Sequence, residues 1–221
     1  NVSLHNEDEI ARKDIRIGDT VQIQRAGDVI PQIIKVIKEK RKINSKIYTP
    51  SEFCPSCNNK TFKQLDEAVR RCVAGLECPA QAIEKLKHFV SKNAFNIDGI
   101  GEKQIIMFYR DGIINDFSDF FKISDHKDEL IKKEGFGELS ISKLISSIES
   151  RRIITLDKLI YSLGIRQIGE TSSKILSYHY NNYKNFCLEM INSRDTLSDS
   201  YQNLISIDQI GKSSADDLIQ Y

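Results

Sequence analysis

The chain of 221 residues has no Trp and only five Cys, and its formal net charge is +1. No apolar run approaches the roughly 18 residues of a membrane-spanning helix, which excludes an integral membrane protein. So few cysteines exclude a secreted scaffold held together by many disulfides. The composition, 40% apolar and 29% charged, is instead typical of a soluble, cytoplasmic chain of one to three small domains.

The chain also lacks the overall basic excess of many nucleic-acid-binding proteins, but its charge is unevenly distributed. Residues 1–95 carry 17 basic and 12 acidic side chains, whereas residues 96–221 carry 15 basic and 19 acidic ones. Any contact of the second half with nucleic acid must therefore come from local geometry and not from a broad positive field.

Four of the cysteines lie in one short segment, at Cys54, Cys57, Cys72 and Cys78. This spacing is typical of four thiolates that bind one zinc ion tetrahedrally. Such a site is structural, because four thiolates leave no position for water or substrate. Two disulfides are the alternative interpretation. Cys187 lies outside the cluster, and we expect it to be an ordinary apolar helix residue.

The first fifty residues predict a short helix followed by two β-strands. Asn6 can cap the helix, and residues 20–24 alternate as in a half-buried strand. Gly27-Asp28 makes a turn into a second apolar strand, in which Pro31 tolerates only an edge or bulge position. Because two strands cannot bury a core alone, we interpret them as the later part of a small barrel. We interpret the charged run at residues 38–42 as a solvated linker that would lie close to any bound DNA.

After the cysteines, short amphipathic helices alternate with four similar glycine-centred turns. Helices are predicted from Glu102 to Arg110, Glu138 to Ser150, Glu170 to Tyr180 and from Lys212 onward. The glycines that close the turns are separated by 36, 32 and 42 residues, which indicates an internal repeat. The turns are residues 97–101, 133–137, 164–169 and 207–211.

These turns favour phosphate binding, because glycine lets another backbone approach and the following helix presents unpaired N–H groups. One copy would be typical of an ordinary turn between helices, whereas four copies favour tandem helix-hairpin-helix motifs on a nucleic-acid backbone. The predicted contacts in the turns and their helices are Gly99, Gly101, Lys103, Gly135, Gly137, Arg166, Gly169, Lys174, Gly211 and Lys212. Arg25 and Gly27 are predicted contacts from the barrel, with a solvated strand position as the alternative for Arg25.

Several of these segments, in this order, resemble bacterial NAD-dependent DNA ligases along nearly the whole chain. The barrel segments at residues 4–10, 14–19 and 25–31 are similar to that family, as are the four cysteines. The similarity continues through Cys78-Pro79-Ala80-Gln81, His88-Phe89-Val90-Ser91, Gly135-Phe136-Gly137 and Leu163-Gly164-Ile165-Arg166.

The resemblance implies an enzyme of DNA replication and repair that seals nicks with a 5′-phosphate and a 3′-hydroxyl. In that family a lysine of a Lys-x-Asp-Gly motif takes AMP from NAD and passes it to the 5′-phosphate, and magnesium assists the final joining step. This sequence contains no Lys-x-Asp-Gly motif. We therefore expect no catalytic residue and no NAD or magnesium site in this chain, which should be inactive alone. Gln209 replaces the first glycine of the fourth hairpin, which should weaken DNA binding by that hairpin.

The sequence thus predicts a multidomain α+β chain: an oligonucleotide-binding (OB) barrel part at 1–50, a four-cysteine zinc module at 51–80, and an all-α four-hairpin domain at 81–221. We expect a monomer that binds nicked duplex DNA largely independently of sequence and is continuous with a nucleotidyltransferase domain. A non-enzymatic DNA-binding module of a repair or recombination protein is the main alternative. The other alternative is a protein-interaction module that is stabilised by zinc and does not bind DNA.

Overall fold

A computed structural model describes residues 2–4, 6–26, 30–64, 67–133 and 135–221. The chain divides into two compact units, Asn1–Gln81 and Ala82–Tyr221. Gly27, a predicted DNA contact, lies outside the described residues. None of the helices in the described ranges has the length and apolar character that crossing a bilayer requires.

The first unit begins with the predicted helix and the two predicted strands. Helix α1 (Glu7–Arg12) is capped by Asn6, whose Oδ1 accepts hydrogen bonds from the Asp8 and Glu9 amides at 3.0 and 3.3 Å. Strands β1 (Val21–Ala26) and β2 (Ile30–Val36) pair antiparallel. A small core joins α1 to β2 and consists of the buried residues Ile10, Ile15, Ile33 and Val36.

The alternation of residues 20–24 predicts a half-buried strand, and β1 departs from that pattern at Ile23. The Ile23 side chain is 52% exposed, although it lies opposite the buried Ile33. The strand register shifts between Gln22 and Ile23. An irregularity of this kind turns the following side chains away from the face that the alternation assigns to them.

The interpretation of residues 38–42 as a solvated linker also needs correction. The segment begins with a short 3-10 helix, Lys38–Lys40, whose residues are exposed. The side chain of Arg41, by contrast, is only 13% exposed and forms ion pairs with Asp14 and Asp19. Arg41 therefore holds the loop between α1 and β1 and is unavailable to solvent or DNA.

The cysteine segment forms the second part of the first unit. Short strands β3 (Thr61–Phe62) and β4 (Arg71–Cys72) pair as a hairpin, and a 3-10 helix, Gly75–Glu77, follows. Two ion pairs of 2.7 Å join this hairpin to the first turn of α1, one between Arg70 and Glu7 and the other between Lys63 and Asp8. Helix α2 (Pro79–Val90) starts directly after the last cysteine of the segment.

In the second unit, the regular secondary structure of the described residues is helical. All four helices predicted after the glycine turns are confirmed, and their bounds agree within one residue at the ends that were predicted. Helix α5 buries Ile141, Leu144 and Ile148, which recur at helical spacing. In chain order the elements are α3 (Glu102–Arg110), a 3-10 helix (Phe117–His126), α4 (Lys127–Leu130), α5 (Glu138–Glu149), α6 (Leu156–Ser162), α7 (Glu170–Tyr180), α8 (Tyr183–Asn192), α9 (Asp199–Ser206) and α10 (Lys212–Gln220).

Two hydrophobic cores build this unit. The first core runs from Leu86 to Ile148, and the second runs from Ile160 to Leu218. Residues of the first two glycine turns pack in or against the first core, and residues of the last two turns pack in the second. The His88 Nε2 of α2 donates a hydrogen bond to the Tyr161 carbonyl oxygen at 2.7 Å, so His88 is a packing residue of this unit. The repeat seen in the sequence is thus folded as two pairs of turns.

Candidate metal centre and nucleic-acid interface

The four clustered cysteines reach one point from three different elements. Cys54 and Cys57 lie in a tight loop, in which the Cys54 amide donates to the Asn59 carbonyl at 2.8 Å and the Asn58 amide donates to the Cys54 carbonyl at 2.9 Å. Asn58 has a φ of 58°, a left-handed conformation that asparagine adopts more readily than most residues. Cys72 belongs to β4, and Cys78 immediately precedes α2.

The sulfur atoms have the spacing of a tetrahedral zinc site. All four Sγ atoms lie within 4.8 Å of one another. The Sγ atoms of Cys54 and Cys78 are 3.9 Å apart, and those of Cys57 and Cys72 are 3.5 Å apart. A tetrahedron of thiolates with Zn–S bonds of about 2.3 Å has edges of about 3.8 Å. A disulfide bond, by contrast, is about 2.05 Å long. The arrangement therefore fits one zinc ion and not two disulfides.

Backbone amides prepare two of the sulfurs for a metal by stabilising thiolates. An amide hydrogen bond from Gln81 lowers the pKa of Cys78 to about 6, and amides of Cys57 and Ser56 lower the pKa of Cys54. An amide hydrogen bond from Ala74 also lowers the pKa of Cys72, but burial and the neighbouring thiols outweigh it and raise that pKa to about 11. Zinc removes this conflict, because a divalent cation favours the thiolate form of every ligand.

The four glycine-centred turns share one backbone conformation. The residue two positions before each closing glycine has a left-handed φ, with values of 88°, 85°, 61° and 64° at Gly99, Gly135, Gln167 and Gln209. The apolar residue that follows packs in or against a hydrophobic core in all four turns. Gln209 thus adopts the same left-handed conformation as the glycines at this position, and weaker DNA binding by its hairpin stays a prediction.

The closing glycines are the N-caps of the four helices. Gly101, Gly137, Gly169 and Gly211 all have extended backbones and are exposed. The Gly101 amide donates to Gln104 Oε1 at 3.1 Å, and the Gly137 amide donates to Ser140 Oγ at 2.9 Å. Exposed amides at a helix N-terminus can bind an anion, which would replace these intrahelical partners.

Charged side chains at the helix starts divide the turns into two kinds. The residue after the closing glycine is Glu102, Glu138 or Glu170 in the first three turns and Lys212 in the fourth. Lys87 pairs with Glu102 at 2.9 Å, and Lys174 pairs with Glu170 at 2.7 Å. Both pairs reduce the negative charge beside their turns. The predicted DNA contact Lys174 is therefore already engaged within its own helix.

The remaining predicted contacts are exposed. Lys103, Arg166 and Lys212 lie at the surface in or directly after the turns, and Arg25 lies at the surface of β1 opposite Pro31. Among the described residues, Lys103 and Lys212 form no ion pair. The charges near the turns therefore include cations that point into solvent.

Contacts within each pair tie the earlier turn to the helix that the later turn opens. In the first pair, the Asp98 amide donates to Ser147 Oγ of α5 at 2.8 Å. In the second pair, Gln167 Nε2 donates to Ser213 Oγ of α10 at 2.6 Å. Sequence reasoning missed Gln167 and Lys87. Aligning the four turns on their closing glycines would have singled out Gln167, which occupies the position of Gly99 and Gly135.

Comparison with known proteins agrees with this organisation. Residues 1–45 match the NAD-dependent DNA ligase OB-fold domain, and residues 53–80 match the NAD-dependent DNA ligase C4 zinc finger domain. The DNA ligase of Wolbachia pipientis wMel is 49% identical over 218 residues, which are 98% of this chain and 32% of that protein. The DNA ligase of Afipia carboxidovorans is 44% identical over 231 residues, covering 100% of this chain and 33% of that protein.

The chain spans about a third of the length of the curated relatives it matches. Within that third, the similarity extends over both compact units and includes the cysteine cluster. With the OB-fold and C4 zinc finger domains of NAD-dependent DNA ligases, and with similarity to DNA ligases from end to end, the chain belongs to the NAD-dependent DNA ligase family.

Proposed function

We propose that this chain is the DNA-binding part of a bacterial NAD-dependent DNA ligase, which seals nicks with a 5′-phosphate and a 3′-hydroxyl in replication and repair. The observation that carries the proposal is the common conformation of the four glycine-centred turns. Each of these turns ends in an exposed glycine that caps a helix. Four such helix starts in one chain suit a repeating anion, and the DNA backbone is a repeating phosphate.

The turns act as helix-hairpin-helix motifs in this proposal. Amides at the helix N-termini bind phosphate oxygens, and Lys103, Arg166 and Lys212 add positive charge beside them. Amides and lysines that contact only the backbone do not read bases, so binding is largely independent of sequence. In this proposal the chain consists of a barrel part at 1–50, a zinc module at 51–80 and a hairpin domain at 81–221.

The zinc module has a structural role. Cys54, Cys57, Cys72 and Cys78 hold the ion, and the ion supplies folding free energy to a segment with two two-residue strands and little apolar core of its own. The ion pairs of Arg70 and Lys63 with α1 then fix the folded module against the barrel segment. Zinc thus orders a surface next to the barrel that can follow the duplex.

The chemical steps belong to a nucleotidyltransferase domain that is continuous with this chain. This chain carries no Lys-x-Asp-Gly motif to accept AMP from NAD, and its own residues bind and orient the duplex while magnesium and NAD are used elsewhere. The whole protein acts as a cytoplasmic monomer on nicked duplex DNA.

A nick-joining assay tests whether catalysis belongs to the nucleotidyltransferase domain and DNA binding to this chain. We expect that the chain alone, given NAD, magnesium and nicked DNA, forms no AMP adduct and seals nothing. Fused to the nucleotidyltransferase domain of the Wolbachia DNA ligase, it should restore joining that the nucleotidyltransferase domain alone does not show. A labelled AMP adduct on the isolated chain, or a fusion no better than the nucleotidyltransferase domain by itself, would contradict the proposal.

A further inference from the structure

Two glutamines occupy left-handed positions that glycine fills in the other two turns. Gln167 has a φ of 61° and Gln209 has a φ of 64°. This conformation is unfavourable for a side chain with a Cβ atom, so such a residue persists where its surroundings hold it in place. The contacts of the two glutamines differ, however, and the difference concerns helix α10.

The Gln167 side chain reaches three residues of α10. Its Nε2 donates to Ser213 Oγ at 2.6 Å and to Asp217 Oδ2 at 3.0 Å. Ser214 Oγ donates to Gln167 Oε1 at 3.5 Å. We call this set of contacts the Gln167 clasp. It joins residues 46 to 50 positions apart, and it therefore fixes the third turn to the helix that the fourth turn opens.

Gln209 makes no comparable connection among the described residues. Its Nε2 donates to Asp208 Oδ2, the neighbouring residue, at 3.4 Å. The two glutamines thus share a backbone conformation but only one of them links two turns. Gln209 is consequently a matched control for Gln167.

Helix α10 is held from a second side as well. Tyr201 is 3% exposed, and its hydroxyl donates a hydrogen bond to Asp216 Oδ1 at 2.7 Å. Tyr201 belongs to α9, so α10 is fastened both to the preceding helix and to the third turn. Its N-terminus, which carries Gly211 and Lys212, therefore has a defined position relative to the third turn.

The first pair of turns has a corresponding connection made by the backbone. The Asp98 amide donates to Ser147 of α5, and a Cβ atom at Gly99 would lie 3.7 Å from the Leu144 Cα and Cβ atoms. A glycine turn can therefore pack directly on the helix of the later turn. In the second pair a long side chain provides the connection.

We propose that Gln167 is a positioning residue, whose clasp on α10 presents the third and fourth turns to the DNA backbone as one fixed pair. This inference rests on the proposed function of the turns. Two phosphate sites that are already fixed relative to each other bind without first losing the freedom to move independently. Loss of the clasp should then weaken binding of a duplex although no DNA contact and no charge is removed.

The test compares duplex binding by Gln167→Gly and Gln209→Gly. Glycine retains the left-handed conformation in both variants, so both turns can form. We expect Gln167→Gly to raise the duplex Kd about fivefold, the value for the net loss of one hydrogen bond, and Gln209→Gly not to raise it. The slope of log affinity against log salt should be unaltered, because the amide carries no charge. Gln167→Asn tests the loss of the same contacts with a second residue, because the asparagine side chain carries an amide but is shorter by one methylene group and tolerates the left-handed conformation.

A double-mutant cycle with Ser213→Ala separates positioning from folding. If the clasp acts on DNA binding, the effects of Gln167→Gly and Ser213→Ala on Kd are less than additive. Additive effects, or a lower unfolding temperature with an unchanged Kd in both Gln167 variants, would overturn the clasp while leaving the proposed function intact. Failure of the unmodified chain to bind duplex DNA at low salt would overturn the proposed function and the clasp together.

Discussion

Asp19 accepts two hydrogen bonds from Arg41, one from Nε at 2.9 Å and one from Nη2 at 2.8 Å. The Asp19 side chain is 1% exposed, and Arg41 also contacts Asp14 with Nη1 at 2.6 Å. A planar guanidinium can bind a carboxylate with two parallel hydrogen bonds, which an ammonium cannot. One arginine therefore joins the segment after β2 to both ends of the loop between α1 and β1.

Replacing Arg41 should destabilise the first unit. Arg41→Ala leaves Asp19 buried without its partner, and Arg41→Lys retains the charge but loses the paired geometry. We expect the unfolding midpoint in urea to fall most for Arg41→Ala and less for Arg41→Lys. Lys38→Ala is the matched control, because it removes a positive charge near the same carboxylate. The Lys38 side chain is 68% exposed, and its Nζ is 3.7 Å from Asp14 Oδ2. Equal midpoints for Arg41→Ala and Lys38→Ala would show that the pairing contributes nothing.

The same cluster predicts how stability depends on pH. Hydrogen bonds from Arg41 and then Arg16 lower the pKa of Asp14 to about 2, and hydrogen bonds from Arg41 lower the pKa of Asp19. An aspartate in the unfolded chain titrates near pH 3.9, so the folded state favours the charged form. This stabilisation is complete above about pH 4 and is lost as the pH falls from 4 toward 2. Urea unfolding at pH 6, 4 and 3 should show the loss, and Asp14→Asn should show a smaller one.

The cysteine cluster predicts one zinc ion per chain and local unfolding without it. Cys72→Ser removes one thiolate, so we expect loss of the metal and unfolding of the segment from Cys54 to Cys78. Cys187→Ser is the control, since Cys187 packs partly buried against the second core and not at the cluster. Elemental analysis measures the metal, and exchange of thiols with a labelling reagent reports on the fold. Rapid labelling of all four thiols in the native chain would contradict a closed zinc site.

Two glycines of the second turn should differ in what they contribute. Gly135 has a φ of 85°, which valine strongly resists, whereas Gly137 has a φ of −126° and no atom within 4 Å of an added Cβ. Gly135→Val should therefore lower stability by about 1–2 kcal/mol. Gly137→Val should fold with a smaller loss but bind duplex DNA more weakly, because its side chain lies where a phosphate must approach the amide.

Thermal unfolding and duplex affinity, measured together, check this pair. Gly135 and Gly137 were both predicted as DNA contacts, and the structure places the left-handed backbone conformation at Gly135. Normal duplex binding by a folded Gly137→Val chain would show that this turn is an ordinary connection between helices and not a DNA contact. Equal stability of the two variants would contradict the conformational argument.

Local signals made the zinc cluster and the helices predictable. Cysteine spacing specifies a four-ligand site almost by itself, and a glycine before a polar residue and an apolar period marks each helix start in the second unit. Asn6 was recognised as a cap for the same reason, since a cap contacts amides two and three residues away.

The interactions that escaped prediction join residues distant in the sequence. Arg41 pairs with aspartates 22 and 27 residues away, and Gln167 bonds to α10 across 46 and 50 residues. The local sequence around a charged run or a polar turn residue is the same whether or not that residue has a partner distant in the chain. The division of four turns into two cores likewise depends on packing, and the sequence showed only the repeat.

A salt titration of duplex affinity tests the central claim most directly, namely that the turns hold the phosphate backbone. The chain should bind two duplexes of unrelated sequence with similar affinity, and the affinity should fall steeply with salt. Lys103→Ala and Lys212→Ala should each flatten the slope of log affinity against log salt by about 0.9, the value for one phosphate contact. Lys122→Ala, which removes a lysine paired with Asp119 outside the turns, should leave the slope unchanged. A strong preference for one of the two duplexes, or equal slopes in all three variants, would contradict the account.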